Sequence, residues 1–303
     1  MRNLFITGGG GFLGQYLALE FKRAGWRVFG LGRSRSTDLD PYNGGFRQAL
    51  LPDPDLHNHL RDIQPDLVIH AAGTSSIAFS MQQPEEDFAQ NVVNLHHVLD
   101  QLRLSGVTAR LMLLSSAAVY GQPARFPITE ETPPQPISPY GQHKLQAEFA
   151  AREFHQLYGI PVCNLRIFSA YGPGLRRQVI WDLCRKARLT GELVLEGTGL
   201  EERDFMHGRD VASAARLIAE TGVFDASAYN LATGTSYRLR DVAASIGAYA
   251  QLQKPARFEG KVRLGNPATW SADPVRLRKL GFVPSVGWEE GLKETVEWSM
   301  SQP

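Results

Sequence analysis

Tyr140 and Lys144 stand four residues apart in Ser138-Pro139-Tyr140-Gly141-Gln142-His143-Lys144, a spacing that puts both on one face of a helix. A free phenol is a poor base, because a pKa of about 10 leaves about one part in a thousand ionised at pH 7. A lysine ammonium one turn away favours the phenolate, so the pair predicts a tyrosine tuned for proton transfer. Ser116, in Leu114-Ser115-Ser116-Ala117-Ala118-Val119-Tyr120-Gly121, falls where an apolar run ends. There its hydroxyl is placed to hold a substrate oxygen that Tyr140 protonates or deprotonates. A Tyr four before a Lys is common on solvent-facing helices. What gives this one meaning is order, because a glycine pattern and the serine-bearing strand end precede it.

That glycine pattern opens the chain. The apolar run Leu4-Phe5-Ile6 breaks at Thr7 into Gly8-Gly9-Gly10-Gly11-Phe12-Leu13-Gly14, and a helical pattern follows through Phe21. This reads as a buried strand, a glycine turn that lets backbone press against a diphosphate, and a helix whose positive N-terminal end receives it. Gly8 makes the turn, Gly11 admits the phosphates and Gly14 lets helix and sheet pack closely.

The elements that must carry these groups alternate. Strands are predicted at 27–31, 46–50, 67–70, 111–114 and 162–166, and helices around 55–63, 85–104 and 139–158. Such alternation predicts an α/β fold with a doubly wound parallel sheet, and the unbroken apolar run of the fifth strand suits a strand covered on both faces. Beyond Ile167 the pattern becomes irregular. Helices are read at 179–190, after Gly208, at 239–250 and at 289–298, with a strand at 229–231 rejoining the sheet. The predicted division is a dinucleotide-binding domain of 1–168 plus about 209–233, and a smaller, partly interleaved substrate domain of about 169–208 plus 234–303.

With 303 residues, 43% apolar and 21% charged, the composition is that of an ordinary globular protein. A formal net charge of +1 provides no global field for nucleic acid or an anionic membrane, and neither is expected as a partner. Cys163 and Cys184 make no disulfide framework and no metal spacing is visible, so no metal is expected. Without a signal-peptide pattern or an apolar run near the ~20 residues that span a bilayer, a cytoplasmic location is expected. His70 and His207 read as structural.

Taken together, Thr7 to Gly14, His70-Ala71-Ala72-Gly73, Ser115-Ser116 with Val119-Tyr120-Gly121, Pro139-Tyr140-Gly141 with Lys144, Tyr171-Gly172-Pro173-Gly174, Arg203-Asp204-Phe205 and Gly291-Leu292-Lys293-Glu294-Thr295 resemble the extended short-chain dehydrogenases/reductases that modify nucleotide sugars. The resemblance covers nearly the whole chain. It implies a Rossmann fold and hydride exchange at C4 of a nucleotide-linked hexose, with Ser116 and Tyr140 acting on the sugar oxygen and Lys144 also gripping the nicotinamide ribose. It further implies a cofactor site of Gly8, Gly10, Gly11, Phe12, Leu13, Gly14, Leu50, Ala71, Ala72, Gly73 and Asn91. The substrate would meet Ser75, Ser116, Ala117, Ser169, Arg176, Arg177 and Arg203, the arginines binding its diphosphate. The family's paired helices, here 85–104 and 139–158, imply a homodimer.

Departures from the family pattern choose among activities. Dehydratases of this kind carry an acid pair after the catalytic hydroxyl, where Ala117 and Ala118 stand, and methyl groups transfer no protons. The second strand ends in Gly32-Arg33-Ser34-Arg35 rather than the aspartate usual in epimerases. Arg33 or Arg35, with Ser34, suits the 2′-phosphate of NADP(H), although NAD(H) remains open and a solvated basic loop would have the same residues. Because NADPH normally supplies reducing equivalents, the expectation leans to a 4-ketoreductase for 4-keto-6-deoxy nucleotide hexoses. That reading resembles GDP-4-keto-6-deoxymannose reductases. An NAD-retaining 4-epimerase, similar to UDP-hexose 4-epimerases, is the alternative. A cofactor-binding sensor is the third reading, which the intact Ser116, Tyr140 and Lys144 disfavour.

Overall fold

The computed structural model describes residues 1–34, 41–261, 265 and 267–302. The first lobe begins β1 (Asn3–Thr7), α1 (Phe12–Arg23), β2 (Arg27–Gly32), β3 (Gly45–Gln48), α2 (Leu56–Ile63) and β4 (Leu67–His70). It continues with α3 (Ile77–Gln82), α4 (Pro84–Phe88), a π-helical turn at Ala89–Val93, α5 (Asn94–Ser105), β5 (Arg110–Ser116), α6 (Pro139–Tyr158) and β6 (Val162–Ile167). There follow β7 (Ser169–Tyr171), α7 (Gln178–Thr190), β8 (Val194–Leu195), β9 (Glu202–His207), α8 (Gly208–Thr221) and β10 (Asp225–Leu231). The chain ends with β11 (Ser236–Arg238), α9 (Leu239–Tyr249), β12 (Arg257–Phe258), β13 (Thr269–Trp270), α10 (Val275–Lys279) and α11 (Trp288–Met300).

Seven strands form one sheet in the order β10-β6-β5-β4-β1-β2-β3, and every pairing in it is parallel. A strand's side chains alternate between faces, and β1 shows the result. Leu4 and Ile6 join a core covered by Leu17 and Phe21 of α1 and by Val211 and Ile218 of α8. Phe5 points the other way, among Leu56 and Leu60 of α2, Leu95 and Leu99 of α5, and Ala147 and Phe154 of α6. Each such fully buried large side chain is worth about 1.5–3 kcal/mol. The register puts Thr7 beside His70, and His70 beside Leu113. The strand order reverses at β1 and β4, so the turns leaving them flank a crevice at the sheet's carboxyl edge.

The second lobe is smaller. Strand β9 pairs with β11, β13 and β7, and α7, α9 and α11 close on Leu183, Ile246, Leu292 and Val296. No described helix is long and apolar enough to cross a membrane. One expectation changes here: the segment read as a single helix over 85–104 is two helices joined by a π-helical turn. Both cysteines are buried and free.

Candidate active site

The turn after β1 is held on all sides. Gly8 has φ +70°, and a Cβ built on it would lie 2.5 Å from the Ala72 nitrogen, so this turn packs on the Ala71-Ala72 segment that leaves β4. A Cβ at Gly14 would lie 2.5 Å from the Gly8 oxygen, and one at Gly10 would run into the Ser34 carbonyl oxygen at the end of β2. The Tyr42 hydroxyl donates to the Gly9 carbonyl at 2.6 Å. Only Gly11 keeps an open side, its built Cβ meeting nothing but the Gly8 oxygen at 3.1 Å. It precedes α1, whose N-cap has no side-chain bond and whose first turn has no acid, an end suited to a phosphate. Phe12 and Leu13 are half-buried there, Phe12 with its ring centroid 5.1 Å from that of Tyr16.

Around this cradle the His70 ring places Nδ1 2.8 Å from Thr7 Oγ1. Its Nε2 and the Asn91 Oδ1 are buried without a hydrogen-bond partner among the described residues. A diphosphate cradle beside two unsatisfied polar atoms fits a nicotinamide dinucleotide. Arg33 and Ser34 are exposed at the end of β2, as is Leu50 beyond β3. Arg35 lies outside the described residues.

Helix α6 begins in a way that fixes Tyr140. The Ser138 hydroxyl accepts the Gly141 N–H at 3.2 Å as the N-cap, Pro139 occupies the first turn, and the Tyr140 N–H donates to Ser80 Oγ at 3.0 Å. Ser116 ends β5, where its Oγ accepts the Ala118 N–H at 3.1 Å and its side chain hydrogen-bonds the Tyr140 hydroxyl. Lys144 Nζ donates to the Leu114 carbonyl at 3.0 Å and lies 5.9 Å from the centre of the Tyr140 ring. The three residues therefore meet where the spacing predicts.

Their electrostatics differ from the expectation. Burial pushes Tyr140 up to about 12, the Ser116 hydrogen bond and the Arg177 charge acting downward and Asp87 upward. Burial pushes Lys144 down to about 8 against the carboxylates of Asp87 and Glu148. Against the expectation that the ammonium favours the phenolate, burial is the largest influence on Tyr140, and as folded here the phenol holds its proton at neutral pH.

Asn91 lies in the π-helical turn, buried, its amide donating to Thr74 Oγ1 at 2.7 Å and to the Asp87 carbonyl at 3.1 Å. Gly73, at φ +134°, passes so close that a Cβ there would sit 2.6 Å from Asn91 Oδ1. Behind β5, Glu148 accepts from Ser115 at 2.6 Å and from Arg166 at 2.7 and 3.0 Å, and Arg166 also donates to the Tyr120 hydroxyl at 2.9 Å.

The proposed substrate residues divide. Ser75 and Ser169 are half-buried, the first in the loop before α3 and the second opening β7. Arg177 is exposed, and its charge is felt at Tyr140. Arg203 on β9 is half-buried, lies over the Trp270 ring at 5.1 Å, and donates to the carbonyls of Glu202 and Pro267, both at 2.7 Å. Its neighbour Asp204 serves another purpose, accepting from the N–H groups of Thr233 and Gly234. Arg176 donates to Gln302 of the C-terminal segment at 2.6 Å near the Trp298 ring, and Ala117 is wholly buried with Val119 and Tyr120. His70 and His207 are buried as structural residues should be. The latter caps α8 by accepting the Arg209 N–H at 3.1 Å.

Sequence reasoning missed Ser80, which accepts from the Tyr140 N–H, and the hydrogen-bonded set of Thr74, Asp87 and His143, the last of them on α6 itself. Only His143, beside Lys144, carried a signal.

A parallel sheet reversing at a glycine turn, with serine, tyrosine and lysine meeting at its carboxyl edge, defines an extended short-chain dehydrogenase/reductase. Residues 4–232 match the model of the NAD dependent epimerase/dehydratase family, and the chain belongs to that family of enzymes. The chain is 28% identical over 314 residues to a UDP-glucose 4-epimerase of Mycolicibacterium smegmatis, covering 98% of each. Among solved structures it is similar to a UDP-glucose 4-epimerase of Thermotoga maritima determined with UDP-glucose, at a TM-score of 0.89 and 27% identity over 98% of each chain. It is also similar to MoeE5 in complex with UDP-glucose and NAD, at 0.85 and 30% over 98% of each.

Proposed function

We propose that the protein is a nucleotide-hexose 4-epimerase that retains NAD(H) through its cycle. The observation that carries this reading is the buried Tyr140 hydroxyl, bonded to Ser116 at the carboxyl end of β5, with Lys144 one helical turn further along α6. Relatives matching along almost the full length are UDP-glucose 4-epimerases, which moves the preference from reductase to epimerase.

The glycine turn and α1 would hold the dinucleotide's diphosphate, with Ala71 to Gly73 and Asn91 beside it and Lys144 at its ribose. When bound, the dinucleotide supplies the hydride acceptor and, oxidised, a positive charge of the kind that lowers a neighbouring phenol's pKa. Ser116 holds the oxygen at sugar C4. Tyr140 takes the proton from that oxygen and later returns it. Arg203 and Arg177 are the cations that receive the substrate's diphosphate. Ala117 and Ala118, with no proton to give, leave elimination without an acid.

The second reading is an NADP(H)-dependent 4-ketoreductase, favoured by Arg33 standing exposed at the end of β2, where it suits a 2′-phosphate. Incubation with UDP-glucose, UDP-galactose and related sugars without added reductant decides between them. Interconversion with no net change in dinucleotide absorbance is the expected result, and stoichiometric NADPH consumption only with a 4-keto sugar would establish the reductase. Tyr140→Phe lowers either rate by about 10²–10⁴-fold; turnover at the wild-type rate would overturn the mechanism.

A further inference from the structure

The reacting helix carries a third buried polar side chain that the proposed chemistry does not use. Tyr140, Lys144 and Glu148 are all buried on α6, and their four-residue spacing stacks them along one face. Glu148 Oε1 accepts the Ser115 hydroxyl at 2.6 Å and the Arg166 Nε–H at 3.0 Å, while Oε2 accepts from Arg166 Nη2 at 2.7 Å.

These partners belong to a row. Ser115 of β5, Arg166 of β6 and Asn230 of β10 are neighbours in register across three parallel strands, and all three are buried. Leu114, Leu165 and Tyr229 form the row before it, and Ser116, Ile167 and Leu231 the row after. Strands covered on both faces ordinarily run apolar without a break, so this polar row, its groups bonded to one another, is an exception that calls for a use. Tyr120 closes it. This residue ends the 3-10 turn that follows Ser116, and its hydroxyl accepts from Arg166 Nη1 at 2.9 Å and donates to Asn230 Oδ1 at 2.7 Å. Ser116 thus lies in a short segment fastened at both ends to one ion pair, through Ser115 just before it and Tyr120 four residues after. The same pair is rooted in α6 one turn beyond Lys144, whose Nζ donates to the Leu114 carbonyl at 3.0 Å.

A buried ion pair adds little stability, because desolvation offsets the attraction, and its best-attested use is to fix one register among several. Apolar contacts alone let a helix shift along a strand by small steps; a carboxylate bonded to both Ser115 and Arg166 does not. We propose that Glu148 is a positioning residue, which through Ser115 and Arg166 sets the height of α6 against the end of β5 and so holds the Ser116 hydroxyl to that of Tyr140. The inference rests on Ser116, Tyr140 and Lys144 being the reacting groups.

Carbon-13 NMR of tyrosine-labelled protein, without cofactor or substrate, reads the Tyr140 ring, whose signal is assigned by its loss in Tyr140→Phe. Ser116→Ala displaces that signal by removing the hydrogen bond. Ser115→Ala, which leaves the Glu148–Arg166 pair whole, displaces it in the same direction. Glu148→Gln does likewise, and the two changes together go no further than either alone, as a single linkage requires. Glu148→Leu with Arg166→Met, which removes both charges at once, takes the place of Glu148→Gln if the unpaired arginine prevents folding. A signal at its wild-type position in folded Ser115→Ala, or one that Ser116→Ala itself leaves unmoved, would overturn the proposal. In the active enzyme kcat of Ser115→Ala falls by about ten- to a hundredfold with KM unchanged, whereas a merely structural role would lower the yield of folded protein and leave kcat per folded enzyme at its wild-type value. Because the tyrosine signal needs no substrate, its outcome is separate from that of the epimerase assay.

Discussion

His70 and His207 sit in different elements under the same constraint. One ring is buried at the end of β4 against Thr7, the other at the start of α8 between Tyr16 and Tyr171. Burial pushes His70 down to about 3 and His207 down to about 4. Unfolded histidine titrates near 6.5. Between about pH 4 and 6.5 the unfolded chain thus binds protons that the native rings refuse, and stability falls as pH falls through that window. Each ring contributes a slope of up to about 1.4 kcal/mol per pH unit. Asp204 acts oppositely, because burial raises it to about 6 and the folded state then binds the extra proton. His70→Asn removes one ring's contribution, so its unfolding free energy in urea, measured from about pH 4.5 to 6, rises less steeply than that of wild type; parallel lines would refute this. At this scale the sequence is legible where spacing alone decides, as for Tyr140 and Lys144 on one helical face. It is silent where the environment decides, and the degree of desolvation that raises the phenol is written in Phe168, Trp270 and Ala232, far away in the chain.

Among the elements, the glycine turn tolerates least change. Gly10 packs against the Ser34 carbonyl and Gly14 against Gly8, so the turn, β2 and α1 are locked to one another. Gly10→Ala forces the end of β2 away from the turn. The affinity for NAD(H), measured by calorimetry, drops by at least about tenfold, or about 1.4 kcal/mol, and the urea midpoint falls as well. Unchanged affinity would show that the turn adapts. The apolar runs announce β1, β2, β4, β5 and β6, and Ser138-Pro139 announces α6, whose limits are those predicted. The π-helical turn at Ala89–Val93 has no such signal, since an apolar period of 3.6 reads straight through it. It alters which face Asn91 presents. The strands of the second lobe are two to six residues long and partly exposed, too short for alternation to stand out.

For the whole molecule, the expectation of a homodimer acquires a surface. Phe88, Val93 and Leu104 on the α4–α5 segment, and Phe149, Leu157 and Tyr158 on α6, are exposed large apolar or aromatic side chains on helices that pack side by side. Such a concentration suits burial against a second copy. Light scattering is expected to give twice the 33.6 kDa chain mass, and Phe149→Glu with Leu157→Glu to give one; a wild-type monomer would remove the dimer. The sheet itself has a history built into its order. Its outer strand beyond β6 is β10, residues Asp225–Leu231, which the ribosome delivers only after α7, β9 and α8. Until then β6 is a bare, fully buried-type edge in a nascent chain, open to pairing with the wrong neighbour. Synthesis must therefore carry the chain well into its final third before the nucleotide-binding half can close, and a message cut short earlier yields an aggregation-prone fragment rather than a smaller enzyme.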